Sequence, residues 1–77
     1  MRVKIYSTVA CPYCHMVKEF LKKNNIKFEE IDVASNHEAA NEMIEKSGQM
    51  GVPVTEIDGK MIVGYNVQAL KEALKIK

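Results

Sequence analysis

No stretch of this 77-residue sequence approaches the roughly 20 consecutive apolar residues that a membrane-spanning helix needs. The opening residues, Met1-Arg2-Val3-Lys4-Ile5-Tyr6, move straight into a strand pattern without the apolar region of a signal peptide, so a cytoplasmic chain is expected. Charge of one sign is missing as well. Eleven Lys and Arg stand against ten Asp and Glu, the net charge is +1, and the basic residues are scattered, which argues against a nucleic-acid surface. Cysteine is scarce. Two residues do not make a secreted disulfide scaffold, and a bridge between Cys11 and Cys14 closes too short a loop to hold a fold together. The pair therefore calls for a chemical explanation. Repeats, low-complexity segments and linkers are also absent, and a hydrophobic content of 47% suffices for one compact core. Residues 1–77 read as a single domain.

What is present centres on Cys11-Pro12-Tyr13-Cys14. The tetrad lies between an alternating run, Val3 to Ser7, and a helical pattern that begins just after Pro12. A Cys-x-x-Cys pair at a strand-to-helix junction reads as a redox dithiol. Cys11 occupies the expected N-cap, with Pro12 at the favoured first helical position, so the unpaired N–H groups and the positive end of the helix dipole favour its thiolate. Such positions lower thiol pKa values to a range of about 3.5 to 7.5, making Cys11 the expected nucleophile. Cys14 shares a stripe with Val17, Phe20 and Leu21 and is expected to be the buried, resolving thiol.

Taken in order, Val3 to Ser7 is a strand, and Ser7 to Ala10 a loop that delivers Cys11. A helix is expected from Pro12 to about Lys23, ended by Asn24-Asn25. Ile26 to Val33 reads as a second strand with Phe28 and Ile31 on opposite faces, as in a sheet covered on both sides. Ser35 to Glu38 has the pattern of a capping box, opening a helix with Ala40, Met43, Ile44 and Ser47 inward and Gly48 as its stop. After the loop Gln49 to Pro53, two strands flank Asp58-Gly59, a strong hairpin signal. Asn66 is a good N-cap for a last helix carrying Val67, Leu70, Ala73 and Leu74. The order is β-α-β-α-β-β-α, an α/β class with a four-stranded mixed sheet and helices on both faces.

With the dithiol at the first strand-to-helix turn, this pattern resembles the thioredoxin fold, and Cys11-Pro12-Tyr13-Cys14 resembles the dithiol tetrad of the glutaredoxin family. Thioredoxins usually carry Trp-Cys-Gly-Pro-Cys, and this chain has no Trp. The resemblance extends over the whole chain, through Gly51-Val52-Pro53 before the hairpin and Gly64 after it, and includes the short redoxins that serve ribonucleotide reductase. It implies a thiol–disulfide oxidoreductase in which Cys11 attacks and Cys14 resolves, with a disulfide-containing protein as substrate. A reduction potential in the glutaredoxin range of roughly −200 to −230 mV is expected. The resemblance further implies a cis Val52–Pro53 bond beside the dithiol, with the Val52 backbone free to pair with substrate. Tyr13, within the tetrad, and Tyr65, after Gly64, are expected to line the substrate groove.

At the glutathione site the chain departs from the family pattern. A Lys usually stands where Thr8 stands, and an acidic residue or pair usually follows Gly64-Tyr65, where this chain has Asn66-Val67. Two charged anchors are missing. Gln49 matches a position that the family turns towards glutathione. The implied reductant is glutathione as co-substrate or a thioredoxin-reductase-type flavoenzyme, with no bound cofactor, no metal, no membrane and a monomeric state.

Other readings of the same residues are weaker. Cys11 to His15 matches a c-type haem attachment motif, but there is neither an export signal nor room for haem. A non-catalytic iron–sulfur or metal carrier would use Cys11 with another chain's thiol, although such relatives usually have one cysteine followed by Gly-Phe-Ser. A zinc site from one Cys-x-x-Cys and His37 lacks a second ligand pair. His15, His37 and the lysines of the first helix, Lys18, Lys22 and Lys23, read as solvated. Met50 reads as an apolar contact for a partner protein.

Overall fold

A computed structural model describes residues 2–76. Seven elements follow in the expected order: β1 (Val3–Ser7), α1 (Pro12–Lys23), β2 (Glu29–Asp32), α2 (His37–Ser47), β3 (Val54–Ile57), β4 (Lys60–Val63) and α3 (Val67–Leu74). The sheet order is β2-β1-β3-β4. β1 pairs parallel with β2 and antiparallel with β3, and β3 pairs antiparallel with β4. The strand that delivers Cys11 is thus central, and the chain folds as a thioredoxin-like α/β protein.

Register decides which residues meet the helices. Val3, Ile5, Ile57 and Ile62 join Val17 and Leu21 of α1 and Leu70 and Leu74 of α3 in one buried cluster. On the other face Tyr6 and Val54 join Ala39 and Met43 of α2. A central strand covered on both sides needs no polar alternation, and Val3, Ile5, Tyr6 and Ser7 are all buried. The hairpin forms as expected, with Asp58 at φ 49° and Gly59 at φ 88°, the positive angles that a two-residue type I′ turn requires.

The second strand is shorter than the run Ile26 to Val33 suggests. Asn25 adopts φ 58° and the Ile26 N–H donates to Leu21 O at 2.9 Å, so Ile26 belongs to the turn that ends α1. Phe28 nevertheless packs on the α1/α3 cluster and Ile31 on the α2 cluster. The capping box is also replaced. Asn36, not Ser35, caps α2, accepting the Ala39 N–H at 3.0 Å, while the Ser35 hydroxyl donates to Asp32 O at 3.4 Å. An Asp32 turn, with Ala34 N–H on the carboxylate at 2.9 Å, occupies the residues ahead of the cap and moves the helix start by one. Ala39 and Met43 are consequently the buried positions, with Ala40, Ile44 and Ser47 half-buried. Gly48 ends α2 in the left-handed region, φ 76°.

Candidate active site

The end of β1 points Cys11 at the start of α1. Cys11 is extended, φ −98° and ψ 111°, and its Sγ accepts the Cys14 N–H at 3.2 Å, the N-cap geometry that satisfies one of the orphan donors of α1. Pro12 follows at the first helical position, where the missing N–H costs nothing. The Cys11 thiol also faces a carbonyl, 3.8 Å from Val52 O. Two chain segments, the start of α1 and the residues before β3, therefore meet at one sulfur.

Cys14 is fully buried beneath it, and both cysteines are free thiols. Burial in the α1/α3 face pushes the Cys14 thiol up to about 11, and the adjacent Cys11 thiol adds to the effect. The Thr8 backbone and the Lys18 ammonium oppose it. Lys18 departs from the expectation of a solvated lysine. Its side chain is only 14% exposed and pairs with Glu30 at 2.8 Å, and the same Glu30 oxygen accepts the buried Ser7 hydroxyl at 3.5 Å. The one visible signal was spacing, since Lys18 lies one helical turn beyond Cys14.

Between α2 and β3 the chain passes over the dithiol, and Val52–Pro53 is cis. Pro53 is buried, and its carbonyl accepts the Gly64 N–H at 2.8 Å, which holds the residues after β4 beside those before β3. Tyr13 is 60% exposed and Tyr65 36%, and Tyr65 lines a groove with Pro12, His15, Met16 and Phe20 along α1. Thr8 is half-buried. Two residues expected to face a ligand have internal partners. Asn66 Oδ1 accepts the Ala69 N–H at 3.1 Å as the cap of α3. The Gln49 amide is turned onto Gly51, donating to its carbonyl at 2.8 Å and accepting its N–H at 2.7 Å. Met50 is 78% exposed nearby. Among the described residues no group of three or more His, Cys, Asp or Glu is placed to hold a metal ion, and no helix is long and apolar enough to cross a membrane.

A mixed sheet with a Cys-x-x-Cys capping the helix after its central strand defines a redoxin of the thioredoxin fold. Residues 3–62 match the Glutaredoxin family model, and the chain belongs to the glutaredoxin family. A glutaredoxin-like 8.6 kDa protein encoded in a rubredoxin operon of Clostridium pasteurianum is 50% identical over 64 residues, covering 83% of this chain and 85% of that one. The crystal structure of a mutant thioredoxin-like protein superposes with a TM-score of 0.93 at 34% identity, over 99% of this chain and 97% of the other. The glutaredoxin-like NrdH-redoxin of Escherichia coli, described as having a thioredoxin-like activity profile, gives 0.83 at 26% identity over 94% and 93%.

Proposed function

We propose that this chain is a dithiol–disulfide oxidoreductase that reduces protein disulfides, and mixed disulfides with glutathione, through Cys11 and Cys14. The observation that carries the reading is the Cys11 sulfur at the N-cap, held by the Cys14 N–H at 3.2 Å and facing the Val52 carbonyl at 3.8 Å. Cys11 thiolate attacks one sulfur of the substrate disulfide. A mixed disulfide forms, and the other substrate sulfur leaves as a thiolate and takes a proton. Cys14 then loses its proton and attacks Cys11 Sγ, forming the Cys11–Cys14 bond and releasing the second substrate thiolate. Two electrons pass from the dithiol to the substrate. With its thiol held high by burial, Cys14 stays protonated and unreactive until the mixed disulfide places a leaving group beside it.

Glutathione or a thioredoxin-reductase-type flavoenzyme then restores the dithiol. The second of these is favoured by Thr8, Asn66 and Val67, which supply no charge to glutathione, and by Gln49, whose amide is engaged with Gly51. Likeness to a redoxin with a thioredoxin-like activity profile points the same way, and a chain so reduced would serve as hydrogen donor to a partner such as ribonucleotide reductase. In an NADPH-coupled assay on the oxidised protein, turnover is expected with thioredoxin reductase alone. Efficient turnover only with glutathione and glutathione reductase would reverse the choice of reductant.

Two variants test the chemistry itself. Cys11→Ser is expected to lose disulfide reduction to background. Cys14→Ser is expected to accumulate a mixed disulfide visible by mass spectrometry, and reduction of protein disulfides by that variant at the wild-type rate would refute the two-thiol mechanism.

A further inference from the structure

Between Gly48 and Pro53 the backbone leaves α2, crosses the dithiol and enters β3 without belonging to either element. Its order comes from side chains. The Ser47 hydroxyl lies 2.6 Å from Met43 O and 3.1 Å from Gln49 O, tying the start of the segment to the last turn of α2. The Gln49 amide then closes a ring on Gly51, with Nε2 donating to Gly51 O at 2.8 Å and Oε1 accepting Gly51 N–H at 2.7 Å. A primary amide carries donor and acceptor side by side, so one side chain satisfies both backbone groups of one residue. Val52 comes next, its carbonyl 3.8 Å from Cys11 Sγ, and Pro53 is held on the far side by Gly64.

We propose that Gln49 is a positioning residue for exchange with polypeptide disulfides, its ring on Gly51 holding the Val52 peptide group beside Cys11. The proposal rests on the exchange function above. Gln49 acts through the loop and not on the reacting sulfurs. Without the ring, the loop samples other conformations, and apparent affinity falls by the fraction that remains competent. Gly51 supplies an independent handle. A Cβ on it would meet Gln49 Oε1 at 2.9 Å and Cδ at 3.9 Å, with no other group within 4 Å, and its φ lies outside the left-handed region. Alanine at this position therefore conflicts with the Gln49 side chain alone.

That geometry specifies a double-mutant test with insulin as the disulfide substrate, using Gln49→Ala, Gly51→Ala and the double variant. Each single change is expected to raise KM about three- to tenfold, a competent fraction of about 0.1–0.3, with a smaller effect on kcat. Adding Gly51→Ala to Gln49→Ala is expected to raise KM no further, because the clash has gone. Hydrogen exchange at the Gly51 amide, measured under native conditions, is expected to be at least about tenfold faster in Gln49→Ala than in the wild type. Multiplying effects, an unchanged KM, or equal losses in kcat and kcat/KM would overturn the proposal. A wild-type protein that turns over no disulfide would remove the exchange function and the proposal with it. Wild-type turnover with multiplying KM effects would sink the ring alone.

Discussion

Tyr6 and Thr55 bury hydroxyls on opposite faces of the sheet, and the two are treated differently. On the α2 face the Tyr6 hydroxyl lies 3.1 Å from Glu42 Oε1 and 3.4 Å from Glu56 Oε1, and Lys46 bridges the same two carboxylates at 3.0 and 3.2 Å. On the α1/α3 face Thr55 is wholly buried, and its Oγ1 has no hydrogen-bond partner among the described residues. The phenol ends at the rim of the sheet, where charged side chains from α2 and β3 reach it. The short threonine cannot leave the apolar interior. Burying a polar group costs free energy only to the extent that its lost water is not replaced, so the two hydroxyls should differ in the sign of their contribution. The apolar face is also the one that holds Cys14, and the same lack of water pushes its thiol up.

The largest change is expected where that apolar face is emptied. Leu21→Ala removes a fully buried side chain from the α1/α3 cluster and should cost about 2–5 kcal/mol by denaturant titration; a cost below about 1 kcal/mol would mean the face is loosely packed. A smaller, pH-dependent effect involves both faces. Burial raises Cys14 from an ordinary 9.0 to about 11, while burial and then the Glu42 carboxylate raise Tyr6 from 10.0 to about 12. In both, the folded protein keeps a proton that the unfolded chain releases sooner. Their contribution is complete below pH 9 and is lost as pH rises through about 11 and then about 12, so thermal stability should fall across that window. Cys14→Ser should remove the earlier part of the fall and Tyr6→Phe the later part.

The smallest energies are expected at the two hydroxyls themselves. Tyr6→Phe should destabilise by about 1 kcal/mol, because it removes a hydroxyl that has partners and leaves Glu42 and Glu56 with Lys46 alone. Thr55→Val, nearly the same shape without the hydroxyl, should stabilise by about 1 kcal/mol. Equal signs in the two unfolding titrations would show that hydrogen-bond satisfaction does not distinguish these two hydroxyls.

Much of this arrangement is readable in the chain before it folds. Helical spacing from Cys14 through Leu21, the Asp58-Gly59 turn and the Asn66 cap are local signals, and each element they mark forms with nearly the expected limits. Where the fold departs from these local signals, one cause recurs. Ile26 was apolar enough for a strand, yet its N–H is taken by the turn closing α1, and Ser35 yielded the cap to Asn36 because Asp32 organises the preceding turn. Competition between neighbouring local bonds is decided by geometry that residue type does not carry. Lys18 looked solvated for a related reason, since its partner Glu30 comes from β2, twelve residues away.

The sequence by itself determined the order of elements, the position of Cys11 at a helix start and the burial of Cys14, all of which follow from periodicity and capping over a few residues. Only the tertiary structure decided what surrounds the dithiol. Val52 lies 41 residues from Cys11, and whether the Gln49 amide faces outward or closes on Gly51 depends on how α2 delivers the loop. Contacts of that kind arise when the strands pair and both faces of the sheet are covered, and no local pattern encodes them.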